Sequence, residues 1–168
     1  MPSTDTHPSR RYVQPRVAWL ANDLGGNVDL WISFLQEKGI NVKYIQNGGE
    51  AITEFEHVPY DAIAMDLHIT CGSGCQDEDL RRYAHQREFG MIGLEVIART
   101  RRDTSINHGT PIVVVCNYRK GNYPPFFLQA REKSLQAGAN DYFCPLEMKI
   151  EDYKNIVNTI AAHATKKG

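Results

Sequence analysis

The run Ala62-Ile63-Ala64-Met65 is apolar at every position and is bounded by Pro59 and Tyr60 before it and by Asp66 after it. A segment this short does not make a buried helix, and without polar alternation it does not suit a sheet with one wet face. It reads as a strand of a parallel sheet covered on both sides. Pro111 to Val115 repeats the pattern with β-branched residues and ends in Cys116-Asn117. Parallel strands have to be joined by crossovers of about a dozen residues or more, usually helical. The rest of the chain is therefore expected to alternate.

It does. Arg16 to Ala21 is strand-like and closes in Asn22-Asp23 and the Gly25-Gly26 turn pair. Asn27 to Lys38 carries Val28, Trp31, Ile32 and Leu35 at helical spacing, with Gly39 where a helix ends. Asn41 to Gln46 gives a second strand, Asn47-Gly48-Gly49 a turn, and Glu50 to His57 a short helix with Ala51, Ile52 and Phe55 inward. Beyond Asp66 the pattern stalls: CGSGCQ from Cys71 is loop material, and Asp77 to Phe89 is highly charged with room for one short helix. Gly93 to Arg102 is expected as a helix with Leu94, Ile97 and Ala98 inward. After Cys116 a glycine and proline loop leads to a helix from about Phe126 to Ala137, capped by Gly138, and then to a fifth strand, Asp141 to Cys144, before Pro145. Ile150 to His163 closes the pattern with Tyr153, Ile156, Val157 and Ile160 on one face.

Five strands and five helices in alternation describe an α/β doubly wound sandwich. Residues 1–15 read as a disordered leader, 16–164 as one domain with an insertion at about 71–89, and 165–168 as a tail. A chain of 168 residues, 42% apolar, can bury a core of its own. Its net charge of −1, with both signs interspersed, gives no footprint for nucleic acid, and no apolar run or signal-like amino end implies a membrane. A cytoplasmic protein with free thiols is the expectation, and one that works as a module and not as an enzyme.

In an open α/β sheet, ligands bind past the carboxyl ends of the strands, which is where Asp66 falls. The blocks around it resemble those of the receiver domain of two-component response regulators. They are Asn22-Asp23, Asn47-Gly48-Gly49-Glu50-Ala51, Tyr60-Asp61 through Met65-Asp66-Leu67, Gly93-Leu94-Glu95-Val96-Ile97, Thr110-Pro111-Ile112-Val113 and Gln136-Ala137-Gly138-Ala139-Asn140-Asp141-Tyr142. The resemblance covers about Arg16 to Ala164. It implies a flavodoxin-like fold with strand order 2-1-3-4-5, with Asp66 accepting a phosphoryl group from a sensor histidine kinase or a phosphotransfer protein. It also implies Mg²⁺ held by Asp23, Asp66 and the backbone carbonyl of His68, a switch made of Cys116 and Tyr142, and output through a downstream protein partner or a second copy of the chain. A carboxylate attacking phosphorus does need a divalent ion to neutralise the phosphoryl oxygens.

Four departures from the family pattern bear on that chemistry. Asn22 stands where a second metal carboxylate is usual, so it is at best a weak ligand. Cys116 replaces a Thr or Ser hydroxyl, and a thiol is a poor donor. The lysine expected before Pro145 is missing, its position falling to Pro145 or, with a one-residue gap, to Cys144, while Lys149 and Lys120 are the loop cations that remain. In the family about eight residues separate the acceptor from the glycine that opens the next helix, and Asp66 to Gly93 is far longer. Two further readings follow. One is a pseudo-receiver, an interaction module not regulated by phosphorylation; under either reading the resemblance makes Pro124-Pro125-Phe126-Phe127, beside the fourth helix, a candidate recognition element. The other is a thiol- or metal-based sensor, because Cys71, Cys75, Cys116 and Cys144 all fall on the carboxyl edge with His68 nearby. A Cys116–Cys144 disulfide is one form of it. Trp19 and Trp31 are expected in the core, and His57, His85, His108 and His163 at the surface.

Overall fold

The computed structural model describes residues 13–22, 28–85, 91–116, 127–144 and 149–166. Within them the elements run β1 (Arg16–Leu20), α1 (Val28–Glu37), β2 (Asn41–Ile45), α2 (Gly48–His57), β3 (Ala62–Met65), α3 (Glu78–His85), α4 (Met91–Thr100), β4 (Ile112–Val115), α5 (Phe127–Ala137), β5 (Asp141–Phe143) and α6 (Ile150–Thr165). The strands form one parallel sheet in the order β2-β1-β3-β4-β5.

Alternation along each strand builds two cores. Ala18, Leu20, Ile63, Met65, Ile112 and Val114 point to the side covered by α2, α3, α4 and α5, and Val17, Trp19, Ala62, Ala64, Val113 and Val115 to the side covered by α1 and α6. The second side is aromatic: Trp31 stacks on Trp19 and meets Tyr153 of α6 at 4.4 Å between ring centroids. Gly39 and Gly138 end α1 and α5 at φ +75° and +112°, a backbone conformation open to glycine, and each chain then turns into the next strand.

Several expectations need correcting. Gly48 and Gly49 are not a turn but the first residues of α2, because the Asn47 side chain accepts the Glu50 amide at 2.9 Å and caps the helix. Ile97 of α4 is buried as expected, but Ala98 is exposed and Leu94 only partly buried, the helix burying Ile92 and Val96 beside Ile97. The short helix allowed for in the 71–89 stretch is present as α3, and its Leu80 is fully buried in the main core, which the sequence did not foresee. His163 is not a bare surface imidazole, since its Nε2 lies 2.6 Å from Asp141 Oδ2 and ties α6 to β5. Helix α6 also runs through Thr165.

Candidate functional site

The sheet order reverses between β1 and β3, so the carboxyl ends of these neighbours diverge into connections on opposite faces and leave a crevice between them. Asp66 is the first residue past β3 and lies at this crevice. Its N–H donates to Leu20 O at 2.9 Å, fixing it to the end of β1, and its Oδ1 accepts the His68 N–H at 3.0 Å. Backbone is packed tightly beneath it: a Cβ on Gly93 of α4 would come 2.5 Å from Leu67 Cα, so glycine at that position lets the helix approach. Asp66 keeps a partly exposed surface, yet burial is the largest influence on its carboxyl and raises the pKa above the usual value. The His68 amide, the His68 imidazole, the Cys116 thiol and the Leu67 amide pull the other way without reversing it.

Cys116 and Cys144 follow β4 and β5 directly, and the pairing of Val115 with Phe143 puts them side by side on adjacent strands. The Cys116 N–H donates to Phe143 O at 2.9 Å. The Cys116 thiol is buried, and burial, then the charge of Asp66, pushes its pKa well up, so it stays a thiol. Tyr142 turns its hydroxyl into the same corner. Burial raises its pKa first, followed by the neighbouring Cys116 and Cys144, and the buried hydroxyl makes no full hydrogen bond among the described residues. The corner is therefore Asp66, Cys116, Tyr142 and Cys144, uncharged apart from the carboxylate. Of the two positions left open for the missing lysine, Cys144 is the one placed beside this cluster; Pro145 lies outside the described residues.

The other candidates divide. Asp23 and Lys120 lie outside the described residues, as do Pro124, Pro125 and Phe126. Lys149 precedes α6, with its N–H donating to Asp152 at 2.9 Å, and among the described residues no Lys or Arg forms an ion pair with Asp66. Asn22 is committed elsewhere. With its amide oriented to satisfy both ends, the nitrogen donates to Gln46 O at 2.9 Å and the oxygen accepts the Thr70 N–H at 3.2 Å, so the side chain ties the ends of β1, β2 and β3 together. The position that departs from the receiver pattern has become a clamp.

A carboxylate whose pKa is raised by burial, with no described Lys or Arg paired to it, suits a hard cation, and Mg²⁺ takes one or two carboxylates while keeping most of its waters. Asp66 fits such a role, and the Asn22 side chain, engaged with Gln46 and Thr70, does not. Among the described residues no group of three or more His, Cys, Asp or Glu side chains could hold a metal. The four cysteines do not converge either: Cys71 and Cys75 are joined in a disulfide, whereas Cys116 and Cys144 are thiols.

Two features escaped the sequence reading. Thr70 anchors the Asn22 clamp, for which no sequence signal exists. Asp77 caps α3 by accepting the Leu80 N–H at 2.9 Å and binds Arg99 of α4, and here a signal was present: an Asp opening an acidic first turn, three residues ahead of a leucine.

No sequence family profile matches the chain, and no curated protein does. Solved structures match it closely in shape. A CheY-like response regulator receiver domain protein from Methanospirillum hungatei JF-1 aligns over 93% of this chain and 100% of its own, with a TM-score of 0.62 and 16% identity. The receiver domain of a sensor histidine kinase from Pseudomonas aeruginosa PAO1, determined with a magnesium ion coordinated in its active site cleft, aligns over 89% and 99%, with a TM-score of 0.58 and 19% identity. A chemotaxis response regulator of Vibrio cholerae aligns over 90% and 99%, with a TM-score of 0.58 and 15% identity. The chain thus has the flavodoxin-like fold of response-regulator receiver domains.

Proposed function

We propose that this chain is a receiver module of a two-component signalling system, in which Asp66 accepts a phosphoryl group from a histidine kinase or phosphotransfer protein and the result is read out through protein contacts. The observation that carries this reading is the position of Asp66, a carboxylate at the point where the order of a receiver-type sheet reverses. A carboxylate oxygen would attack phosphorus while the bond to the donor histidine breaks, forming an acyl phosphate. The His68 amide orients that carboxylate, and the Cys116 thiol is a side-chain donor toward it. Mg²⁺, when bound by Asp66, Asp23 and the His68 carbonyl, would neutralise charge on the phosphoryl oxygens.

A second reading, a pseudo-receiver that signals by binding alone, is favoured by a separate set of observations: Asn22 is occupied as a clamp, and the corner around Asp66 contains thiols, with no described Lys or Arg paired to the carboxylate. Intact mass after incubation with Mg²⁺ and a small-molecule phosphodonor separates the two. The first reading expects one base-labile phosphoryl group on the wild type and none on Asp66→Asn. Absence of label under conditions that modify an ordinary receiver would leave the second.

A further inference from the structure

The loop between β3 and α3 is tied back on itself and onto the start of α2. Thr70 O accepts the Gly48 N–H at 2.8 Å and Cys71 O accepts the Gly49 N–H at 3.1 Å, so this loop satisfies the first amides of the helix. Cys71 and Cys75 close the loop with their disulfide. The fit is close: a Cβ on Gly49 would stand 2.8 Å from Cys71 O and 3.2 Å from Cys75 Sγ, and one on Gly72, itself at φ +93°, would stand 2.5 Å from Asn47 Oδ1. Through Thr70 the same loop holds Asn22 and, through Asn22, the end of β2. One small ring thus supports the α2 amino end and the edge that carries Asp66.

A cross-link over so short a separation removes little freedom from the unfolded chain, since the entropic gain grows with loop length. The hydrogen bonds above already fix the loop, which makes the bond a weak staple. It is also reachable. Cys71 is buried, but Cys75 is only partly so, and both line an open cavity of about 540 Å³ with Ser73, Gly74, Gln76 and Glu50.

We propose that Cys71 and Cys75 form a redox site, exchanged between disulfide and dithiol by a thiol reductant entering this cavity, and that its state sets how firmly the α2 amino end is held. An incoming thiolate attacks Cys75 Sγ, the more exposed sulfur, giving a mixed disulfide while Cys71 leaves as a thiolate and takes a proton from solvent. A second reductant thiolate attacks its own sulfur in the mixed disulfide and releases Cys75, which is also protonated. The protein gains two electrons and two protons, and the reductant becomes a disulfide. Reoxidation by a disulfide of the same class runs the steps in reverse. The proposal is independent of whether Asp66 accepts phosphate.

The test uses the full chain equilibrated in oxidised and reduced dithiothreitol mixtures, with alkylation located by peptide mass and amide exchange followed at Gly48 and Gly49. Cys71 and Cys75 are expected to become alkylated together as the mixture turns reducing, and exchange at the two glycines to rise roughly fivefold in the reduced protein. Reduction by glutathione alone would assign a small-thiol source, and reduction only by a dithiol a dithiol carrier; both uphold the site. Equal alkylation in both buffers, a bond that survives excess dithiol in the folded protein, or unchanged exchange at Gly48 and Gly49 would overturn it. Cys71→Ser with Cys75→Ser should exchange like the reduced wild type; should that variant fold poorly, the wild type in the two buffers decides alone.

Discussion

Asp66 shows what a single residue contributes when chemistry and stability pull apart. Burial raises its pKa, so the folded state holds the proton more tightly than the unfolded chain does. Stability therefore falls as pH rises from the ordinary carboxylate range through the raised value, and stays lower above it. Asp66→Asn keeps the shape and removes that cost. It is expected to stabilise the protein near about pH 7, where the wild-type carboxylate is charged, and by nothing near about pH 3, where the carboxyl is protonated in both states. Thermal melts of the two proteins at both pH values check this. Tyr142 makes the complementary case: its buried hydroxyl lies beside the Cys116 and Cys144 thiols and makes no full hydrogen bond among the described residues. Tyr142→Phe should leave stability unchanged or raise it by up to about 1 kcal/mol, measured by denaturant midpoint, because no good hydrogen bond is lost. Both positions were named from the sequence; their surroundings were not, since burial depends on which strands lie alongside.

Among the elements, α3 is the one that distinguishes this chain. It is docked from both ends of a short list of interactions: Leu80 enters the main core, and Asp77 caps the helix while pairing with Arg99, which also binds Glu95 of its own helix. The hydrogen bond from Arg99 is the first cause of the lowered pKa of Asp77. A depressed carboxylate contributes stability above its unfolded pKa and loses it as pH falls through the folded value. Amide protection in α3 should accordingly be lost, in an exchange experiment, as pH drops below the ordinary carboxylate range. Leu80→Ala should cost about 2–4 kcal/mol in chemical denaturation, the penalty of an emptied core site, which a mobile surface insertion would not show. The charged run from Asp77 to Phe89 left room for this helix in the sequence but hid its docking, because one buried leucine gives no periodicity to count.

At the scale of the whole molecule, two cores share one sheet whose strands are buried on both faces, so neither side can come apart without exposing the other. Leu35→Ala on the α1 side and Ile97→Ala on the α4 side should each lower stability by about 2–5 kcal/mol with an unchanged denaturant slope, the signature of one cooperative unit. The order of elements, the inward faces of α1 and α6, the ends marked by Gly39 and Gly138, and Asp66 at a carboxyl edge all follow from local pattern, because strand and helix periods and glycine conformations are properties of neighbouring residues. Tertiary structure alone decided that Asn22 bridges Gln46 and Thr70, that Cys71 bonds Cys75 while Cys116 and Cys144 do not pair, and that α3 docks through Asp77 and Arg99. Each of these is a choice between partners far apart in the chain or equivalent by type, which local pattern does not distinguish and only the packed structure settles.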